Sequence, residues 1–249
     1  MQVDRNELVW SIGQFERLFD AGAATPVFQS IVSLPGGNVF GYEVLARSTV
    51  EGLRNPAQMF TVAARLNMEA ALSRLFRREG VRLAHDLPAE QNLFLNTHPA
   101  ELADTGLVES LAELREVAPE RALTLEIHEA AITDLEQMRK LRETLRQLNI
   151  QLAYDDFGAG QARLVDLIEV PPDYLKFDIC LVRDIHTGSD ARRQMLETLV
   201  RMAHDLGVAV LAEGVESQGE GDVCSQLGFD FAQGYYYGRP MPLPQPAAV

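Results

Sequence analysis

The alternation of apolar and polar positions divides the chain into short β-type runs and longer helical stretches. Residues 6–20 place Leu8, Ile12, Phe15 and Phe19 on one helical stripe behind Asn6 as N-cap, which predicts an N-terminal helix packed on the domain. Two β-type runs follow at 27–34 and 39–47. Pro35-Gly36-Gly37-Asn38 separates them, so they read as a hairpin. From there strand and helix alternate. The pattern predicts helix over 56–79, strand at 93–97, helical segments through 99–117, strand at 123–128 and helix over 131–148. Strand 150–155 then leads into a Gly-rich turn and a short helix. Strand 174–178, helix 190–206, strand 208–212, helix 217–227 and strand 229–236 complete the series.

Eight strands with helices between most of them imply an α/β fold with a mainly parallel sheet, closed into a TIM-type (β/α)8 barrel. The opening hairpin breaks the pattern, because hairpin strands are antiparallel. The expectation is therefore a modified barrel with one antiparallel strand. Its parts are an N-terminal helix within 1–24, the barrel over 25–241 and an irregular tail over 242–249.

Composition narrows the class. A length of 249 residues suits one barrel domain, and 47% hydrophobic with 23% charged residues is ordinary for a globular chain. No apolar run reaches the roughly 18 residues of a membrane span, so no membrane insertion is expected. The first ten residues lack the basic start and apolar core of a signal peptide. Cys180 and Cys224 have no CxxC spacing, which fits a reduced, cytoplasmic protein. The net charge of −14 argues against a nucleic-acid polymer as partner. It leaves room for a small anionic ligand, since surface charge is screened over about 8 Å.

The chemistry collects where strands end. Glu43 lies late in the second strand and Asn96 ends the third. Glu126 lies near the end of the fourth, with Glu129 after it. Asp155-Asp156 end the fifth, and Lys176 and Asp178 the sixth. Glu213 ends the seventh, Glu216 follows, and Gln233 lies in the eighth. In a parallel barrel these ends share the face where catalytic residues belong. Each residue alone has a plainer reading as a cap, a turn or a solvated loop residue. Together they do not. Two carboxylates about 4 Å apart repel by about 4 kcal/mol at an effective dielectric near 20. A bound divalent cation resolves that repulsion more economically than protonation. An all-oxygen donor set without a Cys or His cluster favours Mg²⁺ or Mn²⁺. Adjacent aspartates can serve two such ions, an arrangement suited to in-line attack on a phosphodiester.

At this point the residues resemble a known family. Gln29-Ser30-Ile31-Val32 followed by Gly41-Tyr42-Glu43-Val44-Leu45-Ala46-Arg47 is similar to the signature of EAL domains, the phosphodiesterases that open cyclic di-GMP to linear pGpG. Asn96, Glu126 and Glu129, Asp155-Asp156-Phe157-Gly158-Ala159-Gly160, Lys176-Phe177-Asp178, Ala212-Glu213-Gly214-Val215-Glu216 and Gln233-Gly234-Tyr235 follow in family order. The resemblance covers 25–241 and implies a barrel with one reversed strand. It implies that Glu43, Asn96, Glu126 and Asp155 hold one metal, and that Asp156 serves a second, with Asp155 bridging. Catalytic roles would also fall to Glu213, which supports the metal and water network, and to Lys176, which orients water or stabilises charge. Arg47 would grip a phosphate, while Gln29, Leu45, Asp178, Glu216 and Gln233 would shape the substrate site. Glu129 would anchor the loop that presents Asp156. A homodimer is likewise implied by the resemblance alone, and there is room for sensor or output domains outside this chain.

Three departures stand out. Val44 replaces the usual Ala. His128 replaces the usual Thr between Glu126 and Glu129 and reads as a packing or hydrogen-bonding residue beside the site. Gln161-Ala162-Arg163 replaces aromatic-Ser-Ser in the turn that positions Asp156. Two functions thus stay open, a working cyclic di-GMP phosphodiesterase and a catalytically weak or inactive cyclic di-GMP receptor or protein-interaction module. A barrel enzyme acting on another phosphorylated ligand is a more distant third.

Overall fold

In the computed structural model, residues 12–160 and 164–243 are described. Strands β1 (Val27–Ser33) and β2 (Val39–Leu45) form the expected hairpin, with Gln29 opposite Glu43. Strands β3 (Asn92–Thr97), β4 (Leu123–His128), β5 (Gln151–Phe157), β6 (Tyr174–Phe177), β7 (Ala209–Ala212) and β8 (Phe231–Gln233) continue around a closed barrel. Strand β1 runs antiparallel to both its neighbours, β2 and β8, and every other pairing is parallel. The modified (β/α)8 barrel with one reversed strand is thus the observed fold.

Helices α1 (Pro56–Leu66), α2 (Glu69–Leu83), α3 (Gly106–Val117), α4 (Leu135–Gln147), α5 (Leu164–Glu169), α6 (Ile179–Val182), α7 (Asp190–Asp205) and α8 (Gln218–Gln226) fill the connections. Short 3₁₀ turns at Pro99–Glu101 and Glu129–Ala131 follow β3 and β4. The stretch 56–79, expected as one helix, is two. Asn67 takes a left-handed conformation (φ 54°) and closes α1, a role that Asn tolerates better than most residues. Among the described residues no helix is long and apolar enough to cross a membrane.

Period-two alternation divides the strands into outward side chains, which pack under the helices, and inward ones. Ile31, Phe94, Ala153, Tyr174 and Leu211, with Phe40 and Phe231, fill the barrel as an apolar plug. Thr124 pairs with Phe94 and shares its inward face. Two residues further along each strand lie Asn96, Glu126, Asp155, Lys176, Glu213 and Gln233. Glu43 stands two residues past Gly41. On β1 the same level is reached two residues earlier, at Gln29, because that strand is reversed. One pleat therefore separates a largely apolar floor from a polar layer at the barrel mouth.

The N-terminal segment is helical over 12–17 and packs Phe15 and Leu18 against α1 and α2. Phe19, expected on the buried stripe, is 41% exposed because the helix ends before it. Asn6 and Leu8 lie outside the described residues, as do Gln161-Ala162-Arg163 and the chain beyond 243.

Candidate active site

Lys176 stands at the centre of the polar layer with no solvent exposure. Its Nζ lies 2.5 Å from Glu126 Oε1, 2.7 Å from Asp155 Oδ1, 3.0 Å from Glu213 Oε1 and 4.0 Å from Glu43 Oε2. Burial alone would lower this ammonium's pKa. The carboxylates of Asp155, Glu126, Glu213 and Glu43 outweigh it and hold the pKa well above the usual lysine value. Burial pushes Glu126 and Glu213 well above the usual carboxylate range. Lys176 opposes the shift, while Asp155 and Glu43 reinforce it. Four carboxyl groups thus share one ammonium.

Glu43 is held at both oxygens. Asn96 Nδ2 donates to Oε1 at 2.9 Å, and Gln233 Nε2 donates to Oε2 at 2.6 Å. Gln233 Nε2 also reaches Gln29 Oε1 at 3.1 Å, and Gln29 Nε2 donates to the Gly238 carbonyl at 3.0 Å. The amide side chains around Glu43 thus come from β1, β3 and β8, and Gln29 and Gln233 meet across the seam where the sheet closes.

The acidic pair depends on a local break in β5. Pairing with β6 shifts register between Tyr154 and Phe157, and Asp156 is left-handed at φ 60°. Regular alternation would send consecutive side chains to opposite faces. The bulge instead turns Asp156 toward the mouth, so that Asp155, Asp156 and Glu213 present carboxylate oxygens within 4.8 Å of one another. Burial raises the pKa of Asp156, Asp155 adds to the shift, and His128 opposes it. Gly214 turns the chain directly after Glu213. Its φ of 66° and the Ile179 side chain, 2.4 Å from any added Cβ, require a glycine there.

The remaining expected residues lie at the strand ends or in the turns after them. Asp178 caps α6 by accepting from Cys180 N at 2.9 Å. Glu216 is exposed and gripped by Arg183 through both carboxylate oxygens, one contact at 2.7 Å. Gln29, Glu43, Glu213, Glu216, Gln233 and Tyr235 line one cavity. Leu45 and Arg47 lie at and just past the end of β2. Leu45 shares a second cavity with Glu43, Asn96 and Phe60. The Arg47 guanidinium donates to its neighbour's carbonyl, Ala46 O, at 2.8 Å. Glu129 is buried at the start of its 3₁₀ turn.

One support was not anticipated, and a second was expected only as a packing or hydrogen-bonding residue beside the site. Arg77, buried on α2, pairs with Glu101 and donates to the Asn96 carbonyl at 3.2 Å, while Ser73 accepts from His98 N at 3.2 Å. The second is His128, whose Nε2 meets Asp156 Oδ2 at 3.1 Å. Helical spacing carried a signal for the first. Arg77 lies on the same face as Leu72, Ser73, Phe76 and Gly80, where a charge needs a partner.

The donor set fits a hard divalent cation. It is built of carboxylates and one amide, and Glu126 Oε2 is buried without a hydrogen bond among the described residues.

The EAL domain profile matches residues 13–240. The chain belongs to the EAL domain family. It is 31% identical over 244 residues to the cyclic di-GMP phosphodiesterase RocR of Pseudomonas aeruginosa, covering 93% of this chain and 61% of that one. An uncharacterised Azorhizobium caulinodans protein is 32% identical over 229 residues, with 86% and 31% covered. The EAL domain thus spans between 31% and 61% of the length of these two curated relatives. Among solved structures, a manganese and cyclic di-GMP complex of BlrP1 from Klebsiella pneumoniae superposes with TM-score 0.79 at 31% identity. It covers 90% of this chain and 57% of that one. A cyclic di-GMP complex of the MucR phosphodiesterase gives TM-score 0.83 at 24% identity, with 94% and 98% covered, and shares the fold.

Proposed function

We propose that this EAL domain hydrolyses one phosphodiester bond of cyclic di-GMP to give linear 5′-pGpG. The observation that carries the reading is the ring of Glu126, Asp155, Glu213 and Glu43 around the buried Lys176, beside an acidic pair turned to one side by a bulge. Support comes from RocR, named a cyclic di-GMP phosphodiesterase, and from BlrP1, captured with manganese and cyclic di-GMP.

In this reading Glu43, Asn96, Glu126 and Asp155 would hold one Mg²⁺ or Mn²⁺, and Asp156 would serve a second. Such ions would lower the pKa of bound water and neutralise charge on the phosphate oxygens. The chain supplies the rest. Asn96 and Gln233 fix the rotamer of Glu43, so the carboxylate is presented without reorganisation. Lys176 holds Glu126, Asp155 and Glu213 in one constellation and keeps a positive charge beside the reacting phosphate. Glu213, raised by burial, holds a water in the network. Arg47 provides a planar guanidinium for a phosphate. Leu45, Gln29, Asp178, Glu216 and Gln233 shape the site around the dinucleotide, and Glu129 anchors the loop beneath Asp156. The same reading makes the working unit a cytoplasmic homodimer, with room for sensor or output domains in a longer protein.

The test is incubation of the purified domain with cyclic di-GMP and Mg²⁺ or Mn²⁺, followed by chromatographic separation of the nucleotides. Conversion to pGpG is expected. Tight binding without pGpG would overturn the catalytic reading in favour of a receptor.

A further inference from the structure

His128 makes two contacts that together fix its ring. Nδ1 accepts the backbone N–H of Ala130 at 3.0 Å, and Nε2 lies 3.1 Å from Asp156 Oδ2. An Nδ1 that accepts a hydrogen bond carries no proton. The neutral ring therefore has its proton on Nε2, directed at the aspartate. The turn after β3 gives a comparison. His98 Nδ1 accepts Ala100 N at 3.2 Å in the same way, but its ring lies stacked on Phe60 with centroids 4.8 Å apart. Capping the 3₁₀ turn accounts for His98 entirely. It leaves the second contact of His128 unexplained.

Asp156 is the residue most in need of outside support. Its left-handed backbone sits in a bulge, and its side chain, about a third exposed, is not held by the strand's own pleat. We infer that His128 is a positioning residue for Asp156, its backbone-locked Nε2–H setting the carboxylate's direction for the second cation. This rests on the metal-dependent reading of the site. Histidine acts here through the ligand and not as a ligand, since the atom facing the site bears the proton.

Two substitutions separate the contacts. In His128→Asn the short amide keeps an acceptor for Ala130 N but cannot reach Asp156. In His128→Gln the longer amide reaches Asp156 and gives up the cap. Mn²⁺ uptake by metal-free protein, followed calorimetrically without nucleotide, is read together with kcat, KM and Tm. His128→Asn is expected to hold its Tm while the weaker Mn²⁺ site loses about 10- to 100-fold in affinity and kcat falls with KM little changed. His128→Gln is expected to recover most of the Mn²⁺ affinity. Wild-type Mn²⁺ uptake and kcat in His128→Asn would overturn the inference, as would a Gln variant no better than the Asn variant. If the wild-type protein takes up Mn²⁺ yet cleaves nothing, the phosphodiesterase reading fails while the uptake comparison still decides the role of His128. Wild-type protein that takes up no Mn²⁺ overturns both.

Discussion

Arg77 and Glu101 face each other through two hydrogen bonds of 2.7 and 2.5 Å, with the arginine 2% and the glutamate 0% exposed. The same guanidinium donates to the carbonyl of Asn96. A buried ion pair is worth little against an apolar replacement, but removing one partner strands a charge. Glu101→Ala should therefore cost about 3–5 kcal/mol of stability. A double replacement, Arg77→Met with Glu101→Leu, should recover much of it. Chemical denaturation of the three proteins checks this, and a double variant no more stable than Glu101→Ala would refute the account.

Lys176 invites a different comparison. Lys176→Met leaves Glu126, Asp155, Glu213 and Glu43 facing one another without their counter-charge. In chelator the variant should be less stable by about 3–5 kcal/mol. Added Mn²⁺ should raise its Tm more than it raises that of the wild type, because a cation would then supply all of the missing charge. Equal Tm values in chelator would exclude the lysine as internal counter-ion.

For turnover, Asp155→Ala and Glu43→Ala are each expected to reduce pGpG formation by more than about 100-fold, beyond the effect of removing an outer partner. The far-ultraviolet circular dichroism should not change. Wild-type rates in either variant would disprove the metal assignment.

Glu220 gives a pH dependence away from the cluster. Burial acts to raise its pKa, but the backbone N–H groups of Asp184, Glu216 and Ser217 hold it below the ordinary value of 4.5. A lowered folded-state pKa contributes stability above the unfolded value and loses it as pH falls through the folded one. Glu220 and Ser217 also form the capping box of α8. Glu220→Gln should thus lower stability by about 1 kcal/mol near neutrality, a Tm shift of about 2–4 °C. The gap should narrow as pH drops below about 4.5. A gap that stays constant down to pH 3 would show that the charge contributes nothing.

The polar layer was legible because strand alternation is a local property. Once β3, β5 and β7 are located, Asn96, Asp155 and Glu213 must face one way. The depth of Lys176 was not, since a lysine near a strand end reads as a surface charge until the barrel closes around it. The bulge at Asp156 was also hidden. A left-handed aspartate depends on how β6 pairs with β5, and nothing within 150–155 announces it. The contact between His128 and Asp156 shares that origin, for it spans two strands and one backbone distortion.

The reversal of β1 has a consequence for how the polypeptide meets the polar mouth of its barrel. An all-parallel barrel is entered from the rear, with the incoming chain one strand length, about 20 Å, from the mouth. Here the incoming chain arrives at the front. Thr25 N donates to the Arg47 carbonyl at 2.8 Å and Thr49 N to the Ala23 carbonyl at 3.0 Å, so the approach to β1 is laced to the segment that carries Arg47. Displacement of residues 23–25 would therefore reach the backbone of Arg47 directly, with no intervening element of secondary structure.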